Sequence, residues 1–328
     1  MVIKVNNLHK RFEIYKRDKG VFNAVKSLFN REKVIIDAVE NLNLDIDKGE
    51  KVAFLGPNGA GKSTTIKMLT GILHPTSGNI EVLGYNPWKN RKDYVNNIGV
   101  IFGQKSQMWI DLPPLEAFNL HKHIYKIPED KFNERLEYMA SKLDVKEVML
   151  RPTRNLSLGE RMKCEFISAL LHNPSVVFLD EPTIGVDALS KDTIRTFIKD
   201  INKEFGTTFI LTTHDMDDIE NLCDRVIIID EGKILFDGGM KKLFNRYITS
   251  YIIKIELKKV LNAKKFDKLK ESALDVQEDG KRVFLTFSNK LDQTTVLKNL
   301  LDCVSVHDIK LSEPKLEDII KKIYTKKE

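Results

Sequence analysis

One ten-residue stretch narrows the fold more than any other: Leu55-Gly56-Pro57-Asn58-Gly59-Ala60-Gly61-Lys62-Ser63-Thr64. It fits G-x-x-x-x-G-K-[ST], with Gly56, Gly61, Lys62 and Ser63 in register. That pattern has meaning only between a strand and a helix, and both neighbours fit. "KVAFL" (Lys51–Leu55) reads as a short buried strand, and "TTIKMLTGI" reads as a helix stopped near Gly71. Glycines without a Cβ let successive backbone N–H groups turn inward around phosphate oxygens, and the helix N-terminus adds partial positive charge. Lys62 can then reach the β- and γ-phosphates while Ser63 places its hydroxyl on Mg²⁺. A glycine turn without a ligand is the bland alternative; the flanking strand and helix favour a nucleotide.

Further apolar runs extend the pattern. "VVFLDEP" (176–182), "TFILTTHD" (208–215) and "RVIIID" (Arg225–Asp230) read as buried strands, the last before a turn at Glu231-Gly232. Helical stretches such as "KDTIRTFIKDINKEF" lie between them, so an α/β domain with a largely parallel sheet is expected. Residues from about 104 to 172 are helix-rich and read as a helical subdomain inserted between strands. After "FDGG" (236–239) the pattern changes. "YIIKIELKK" alternates with Ile253, Ile255 and Leu257 on one face, "KKFDKLKESA" and "DQTTVLKNLL" read as helices, and "EDG" (278–280) reads as a hairpin turn. "RVFLTF" and "VSVHDIKL" read as strands. The expected division is residues 1–239 and a small α+β domain over 240–328.

With 328 residues, 42% hydrophobic and 30% charged, the chain is an ordinary globular protein long enough for two domains. The net charge of +6 is too modest to argue for nucleic acid, and no apolar run is long enough to span a membrane. The N-terminus lacks the features of a signal peptide, and Cys164, Cys223 and Cys303 form no metal-ligand pattern, so a reducing, cytoplasmic setting is expected.

Asp180 ends a buried strand, where ligands of open α/β sheets gather, and is suited to hold Mg²⁺. Glu181 beside it can orient and deprotonate a water. Either carboxylate alone is a common solvated loop residue, and His214 alone would be structural; a phosphate loop in the same chain changes the balance. "NLSLGERM" (155–162) holds Ser157-x-x-Glu160, a capping box, and a helix N-terminus with a Ser hydroxyl and the Gly159 N–H also suits phosphate.

In the order GPNGAGKST, Gln104 in "IGVIFGQ", LSLGE, VVFLDEP, "TIGVD" and "TTHD", residues 1 to about 239 resemble the ATP-binding subunit of an ABC transporter. The resemblance is to the ATPases of ABC-2-type exporters in particular. It implies a P-loop ABC-type nucleotide-binding domain, with a mixed sheet core and a helical subdomain, that binds ATP and Mg²⁺ and hydrolyses ATP. The residues from Gly56 to Thr64 would form the Walker A loop. Gln104 would touch Mg²⁺ or the attacking water and signal to the membrane partner. Ser157, Gly159 and Glu160 would form the signature that meets ATP on an opposite subunit. Asp180 would be the Walker B aspartate, Glu181 the catalytic glutamate, Asp187 the D-loop aspartate at the dimer seam and His214 the switch histidine. Phe12 would stack on adenine, with Tyr15 the runner-up. The implied partners are an integral membrane permease and a second ABC ATPase, identical or similar, at the cytoplasmic face of the membrane, with no nucleic acid.

Three departures stand out. The signature reads LSLGE, with Leu158 for a glycine and Glu160 for a glutamine, which brings a negative charge towards the phosphates. A basic insertion over about 13–36 places Phe22, Val25 and Phe29 near one helical face; it suits an anionic membrane surface or partner as well as packing on its own domain. The tail "SEPKLEDIIKKIY" resembles the end of the accessory domain of exporter ATPases. Competing readings are a soluble ABC ATPase acting on ribosomes or nucleic acid, and a nucleotide sensor without turnover. A single Walker A and the absence of a heptad array speak against the first, and Glu181 against the second.

Overall fold

The structure, a computed structural model, describes residues 1–15, 33–103, 106–247, 250–312 and 316–325. Gln104 and most of the basic insertion, with Phe22, Val25 and Phe29, therefore lie outside the described residues. The chain divides into two units, Met1–Gly238 and Gly239–Glu328.

In the first unit, β1 (Ile3–Tyr15) pairs antiparallel with β2 (Lys33–Ile46). β3 (Lys51–Leu55) leads through the glycine loop into α1 (Lys62–Leu69), and β4 (Ser77–Val82) returns to the other side of β1. Then come α2 (Arg91–Val95), β5 (Ile98–Phe102), α3 (Pro114–Ile124), α4 (Glu129–Leu143), α5 (Leu158–Leu170), β6 (Val176–Asp180), α6 (Ala188–Phe205), β7 (Thr208–Thr212), α7 (Met216–Leu222), β8 (Arg225–Asp230) and β9 (Lys233–Gly239). β2, β1 and β4 form one sheet; the other has the order β5-β6-β7-β3-β8-β9. Strands β5 through β8 pair in parallel there, as the apolar runs require, because such strands are buried on both faces. Phe54, Phe178, Ile210 and Ile227 are fully buried and pack with residues of β1, β2 and α1 in one core. The Glu231-Gly232 turn is confirmed, with φ of +47° and +76°.

The β1–β2 ladder runs into both ends of the expected insertion. Residues 13–15 and 33–36 are its far end, in register from Phe12–Ile36 to Tyr15–Lys33. Val34, Ile35 and Ile36 are β-branched and suit a pleated strand, and Lys33 pairs with Glu13 at 2.7 Å across it.

The second unit runs α8 (Met240–Tyr247), β10 (Ser250–Val260), α9 (Ala263–Glu271), β11 (Asp275–Asp279), β12 (Arg282–Ser288), α10 (Gln293–Cys303), β13 (Val304–Ser312) and α11 (Leu316–Thr325). From β10 to β13 the order β-α-β-β-α-β and the antiparallel sheet β11-β12-β10-β13 make a ferredoxin-like topology. Its own core includes Tyr251, Ile253, Ile255, Leu285 and Phe287.

Candidate active site

The carboxyl ends of β3, β5, β6 and β7 lie side by side, and pairing aligns Phe102, Asp180 and Thr212 in one row. A cleft of about 360 Å³ opens there, lined by Ser63, Lys67, Phe102, Gly103, Asp180 and Glu181.

The phosphate loop is shaped by backbone demands. Gly61 has φ +103°, and a Cβ on it would sit 2.4 Å from the Ala38 carbonyl oxygen, so no other residue fits. Gly61 caps α1 without a side-chain hydrogen bond, which leaves first-turn N–H groups free of a side-chain competitor for an anion. Pro57, Asn58, Gly59 and Ala60 close a turn through the Ala60 N–H on the Pro57 carbonyl at 3.1 Å. Thr64 continues the helix. Lys62 Nζ donates to the carbonyls of Gly56 at 2.6 Å and Pro57 at 3.1 Å. Burial pushes its ammonium below the usual lysine range, while Glu181 and Asp180 oppose that shift.

Asp180 receives two hydroxyls on Oδ1, Ser63 Oγ at 2.9 Å and Thr212 Oγ1 at 2.6 Å. Ser63 and Asp180 thus present adjacent hard oxygen donors, which fit Mg²⁺. Among the described residues, no group of three or more His, Cys, Asp and Glu is arranged to hold a metal ion. Glu181 has φ +52°, a left-handed conformation unusual for a side chain of its size. Its N–H is held by the Thr212 carbonyl at 3.0 Å, and its carboxylate lies 3.1 Å from His214 Nε2. A carboxylate and an imidazole in contact at the cleft can orient a water and take its proton.

The signature forms the capping box as expected. The Glu160 N–H donates to Ser157 Oγ at 3.2 Å, and the Ser157 N–H donates to Glu160 Oε2 at 2.8 Å. The carboxylate is turned back onto its own cap, at the same helix N-terminus as the Ser157 hydroxyl. Gly159 is packed against α6: a Cβ would lie 2.4 Å from Ser190 Oγ and 2.8 Å from Asp187 Oδ2. Asp187 itself caps α6 by accepting from the Ser190 N–H at 2.9 Å, a bond that holds its carboxyl below the usual range.

Phe12 is half-buried under Lys10 Nζ, 5.1 Å from the ring centroid. It pairs with Ile36, two strand positions from Ala38, which touches Gly61. Two strand positions are about 7 Å along β2.

Sequence reasoning missed Thr212, which holds both Asp180 and Glu181. Its signal was a buried threonine closing the apolar run Phe209-Ile210-Leu211. Also missed was the clamp behind His214. Asp215 accepts from Lys191 Nζ at 2.5 Å, and buried Asp218 accepts from Arg195 Nε at 2.7 Å and from the hydroxyls of Thr183 and Thr213. His121 Nδ1 lies 3.0 Å from the Ser168 hydroxyl, joining α3 to α5.

The chain is similar in sequence to known proteins. Residues 39–184 match the profile of the ABC transporter family. The chain is 32% identical over 216 residues to the ABC transporter ATP-binding protein NatA of Bacillus subtilis, covering 66% of this chain and 87% of that one. It is 32% identical over 292 residues to the bacitracin transport ATP-binding protein BcrA of Bacillus licheniformis, covering 87% and 92%. The solved structure of cbiO1 from Clostridium perfringens, part of the ABC transporter complex cbiONQ, aligns at a TM-score of 0.60 with 28% identity, over 74% of this chain and 90% of that one.

Proposed function

The chain belongs to the ABC transporter ATP-binding proteins, and from that premise we propose that it drives an ABC-2-type export permease by closing as a pair on two ATP molecules. The observation that carries the reading is the cleft in which Ser63, Asp180, Thr212, Glu181 and His214 meet beside the phosphate loop.

The phosphate loop from Gly56 to Thr64 holds the triphosphate of ATP, Lys62 exchanging its carbonyl partners for phosphate oxygens, and Phe12 stacks on the adenine. Glu181 accepts a proton from the attacking water, with His214 steadying both the glutamate and the γ-phosphate. Ser63 and Asp180 would hold Mg²⁺ with Gln104, and the ion supplies charge neutralisation on the phosphates. Ser157 and the Gly159 N–H complete the site of a second ATPase subunit, with Asp187 at the seam. The exposed side chains Trp109, Ile110, Leu112, Leu120 and Ile124 lie beyond the Gln104 region and suit an apolar element of the permease. No helix among the described residues is long and apolar enough to cross a membrane, so a separate permease supplies the path. The subunit works at the cytoplasmic face of the membrane.

The test is affinity purification from detergent-solubilised membranes, followed by ATPase assay of the purified complex. A multi-span protein in near-equal amount is expected, with hydrolysis reduced at least ~100-fold by Glu181→Gln. Ribosomal proteins or nucleic acid in place of a membrane protein would overturn the transport reading. Undiminished hydrolysis by Glu181→Gln would overturn the catalytic assignment.

A further inference from the structure

Glu165 is a buried charge that the reaction above leaves unused. It lies on α5, eight residues beyond the Ser157 cap, on a helix face shared with buried Met162, Phe166 and Ala169, and is only 4% exposed. Its Oε1 accepts from the Ser106 hydroxyl at 2.6 Å and from the Gln107 N–H at 2.9 Å. The Met108 N–H donates to Ser106 Oγ at 3.2 Å, and the Gln107 side-chain amide donates to the Val100 carbonyl at 2.7 Å. Residues 106–108 are thus folded around this carboxylate and moored to β5. Just upstream, Phe102 and Gly103 line the catalytic cleft. Just downstream, Trp109 and Ile110 stand 52% and 63% exposed.

A carboxylate withdrawn from water is tolerated only while donors stay on it. The Ser106 hydroxyl and the Gln107 N–H belong to one loop, so the loop cannot lift from α5 without taking both donors off the charge. The helix carries any displacement about 12 Å from Glu165 to its own N-terminus, at about 1.5 Å per residue.

We propose that Glu165 is a positioning residue that joins the 106–108 loop and the helix Leu158–Leu170 into one moving body, so that a push on Trp109 and Ile110 reaches Ser157 and Gly159. The source of the push rests on the permease reading above; the joining itself does not.

Hydrogen–deuterium exchange on the full chain, resolved to short peptides, tests the joining. Glu165→Ala is expected to speed exchange at 107–108 about tenfold and also at 157–161 in the signature cap. Glu165→Gln, whose amide oxygen accepts the same two bonds, is expected to restore both regions. Faster exchange confined to 106–108, as simple local packing would give, overturns the proposal. Should Glu165→Ala fail to fold, Ser106→Ala removes one donor and must produce the same paired response more weakly; no response at 157–161 overturns it equally. With the co-purified permease, Glu165→Ala should keep its affinity for ATP yet lose partner stimulation of hydrolysis about fivefold or more. Unchanged stimulation counts against the proposal. A wild-type chain that no membrane protein stimulates refutes the permease reading alone, and the exchange result still decides the joining.

Discussion

His172 shows how one buried ring makes stability depend on pH. Its Nε2–H donates to the Ile98 carbonyl at 2.9 Å, and the Tyr125 ring stacks on it at 4.0 Å between centroids. Burial pushes the imidazole down to about 4, so the folded protein refuses a proton that the unfolded chain accepts near its ordinary value of 6.5. The resulting stability is fully present above pH 6.5 and is lost as pH falls through 4. The whole effect is on the order of 3 kcal/mol. Denaturant unfolding at pH 7 and pH 4 should show a loss of that order in the wild type that His172→Gln lacks; parallel losses in both would remove His172 as the cause. Glu165 runs the other way. Burial raises its carboxyl, so its contribution fades as pH climbs past the carboxylate range.

At the scale of elements, α5 begins with a carboxylate whose work is local. Glu160 bonds the Ser157 N–H, a task glutamine performs equally well in a capping box. Glu160→Gln is therefore expected to change stability by less than ~0.5 kcal/mol, with ATP turnover close to wild type; a large gain in turnover would mean that the carboxylate faces phosphate after all. The phosphate loop, the cap and the strand ends were legible because each is a contiguous run whose neighbours specify its conformation. Thr212 and Glu165 were not, because their partners lie 32 residues away at Asp180 and 59 residues away at Ser106. A charge in "MKCEFISALL" was visible, but only the fold says what it meets. β11 escaped because "DVQED" is a largely exposed strand with no alternation to read. The outer part of β1–β2 escaped because its apolar residues face solvent, so the sequence carries no buried stripe there.

For the whole molecule, two units with separate cores make stability and nucleotide chemistry separable. Leu285 is fully buried in the core of the second unit. Leu285→Ala should cost that unit about 2–5 kcal/mol, seen as an earlier unfolding step in a denaturant titration, while binding of ATP by the first unit is unchanged. A matching loss of ATP affinity would show that the units are energetically one.

Glu181 carries a conflict of interests into any population of variants. Its left-handed backbone costs a residue with a Cβ about 1–2 kcal/mol that glycine would not bear, and asparagine would bear more easily than most. A library of this gene selected for heat tolerance alone would therefore accumulate glycine or asparagine at position 181. On the catalytic role proposed for Glu181, the survivors would be sturdier proteins unable to turn over ATP, and only a screen that also demands transport would keep the glutamate.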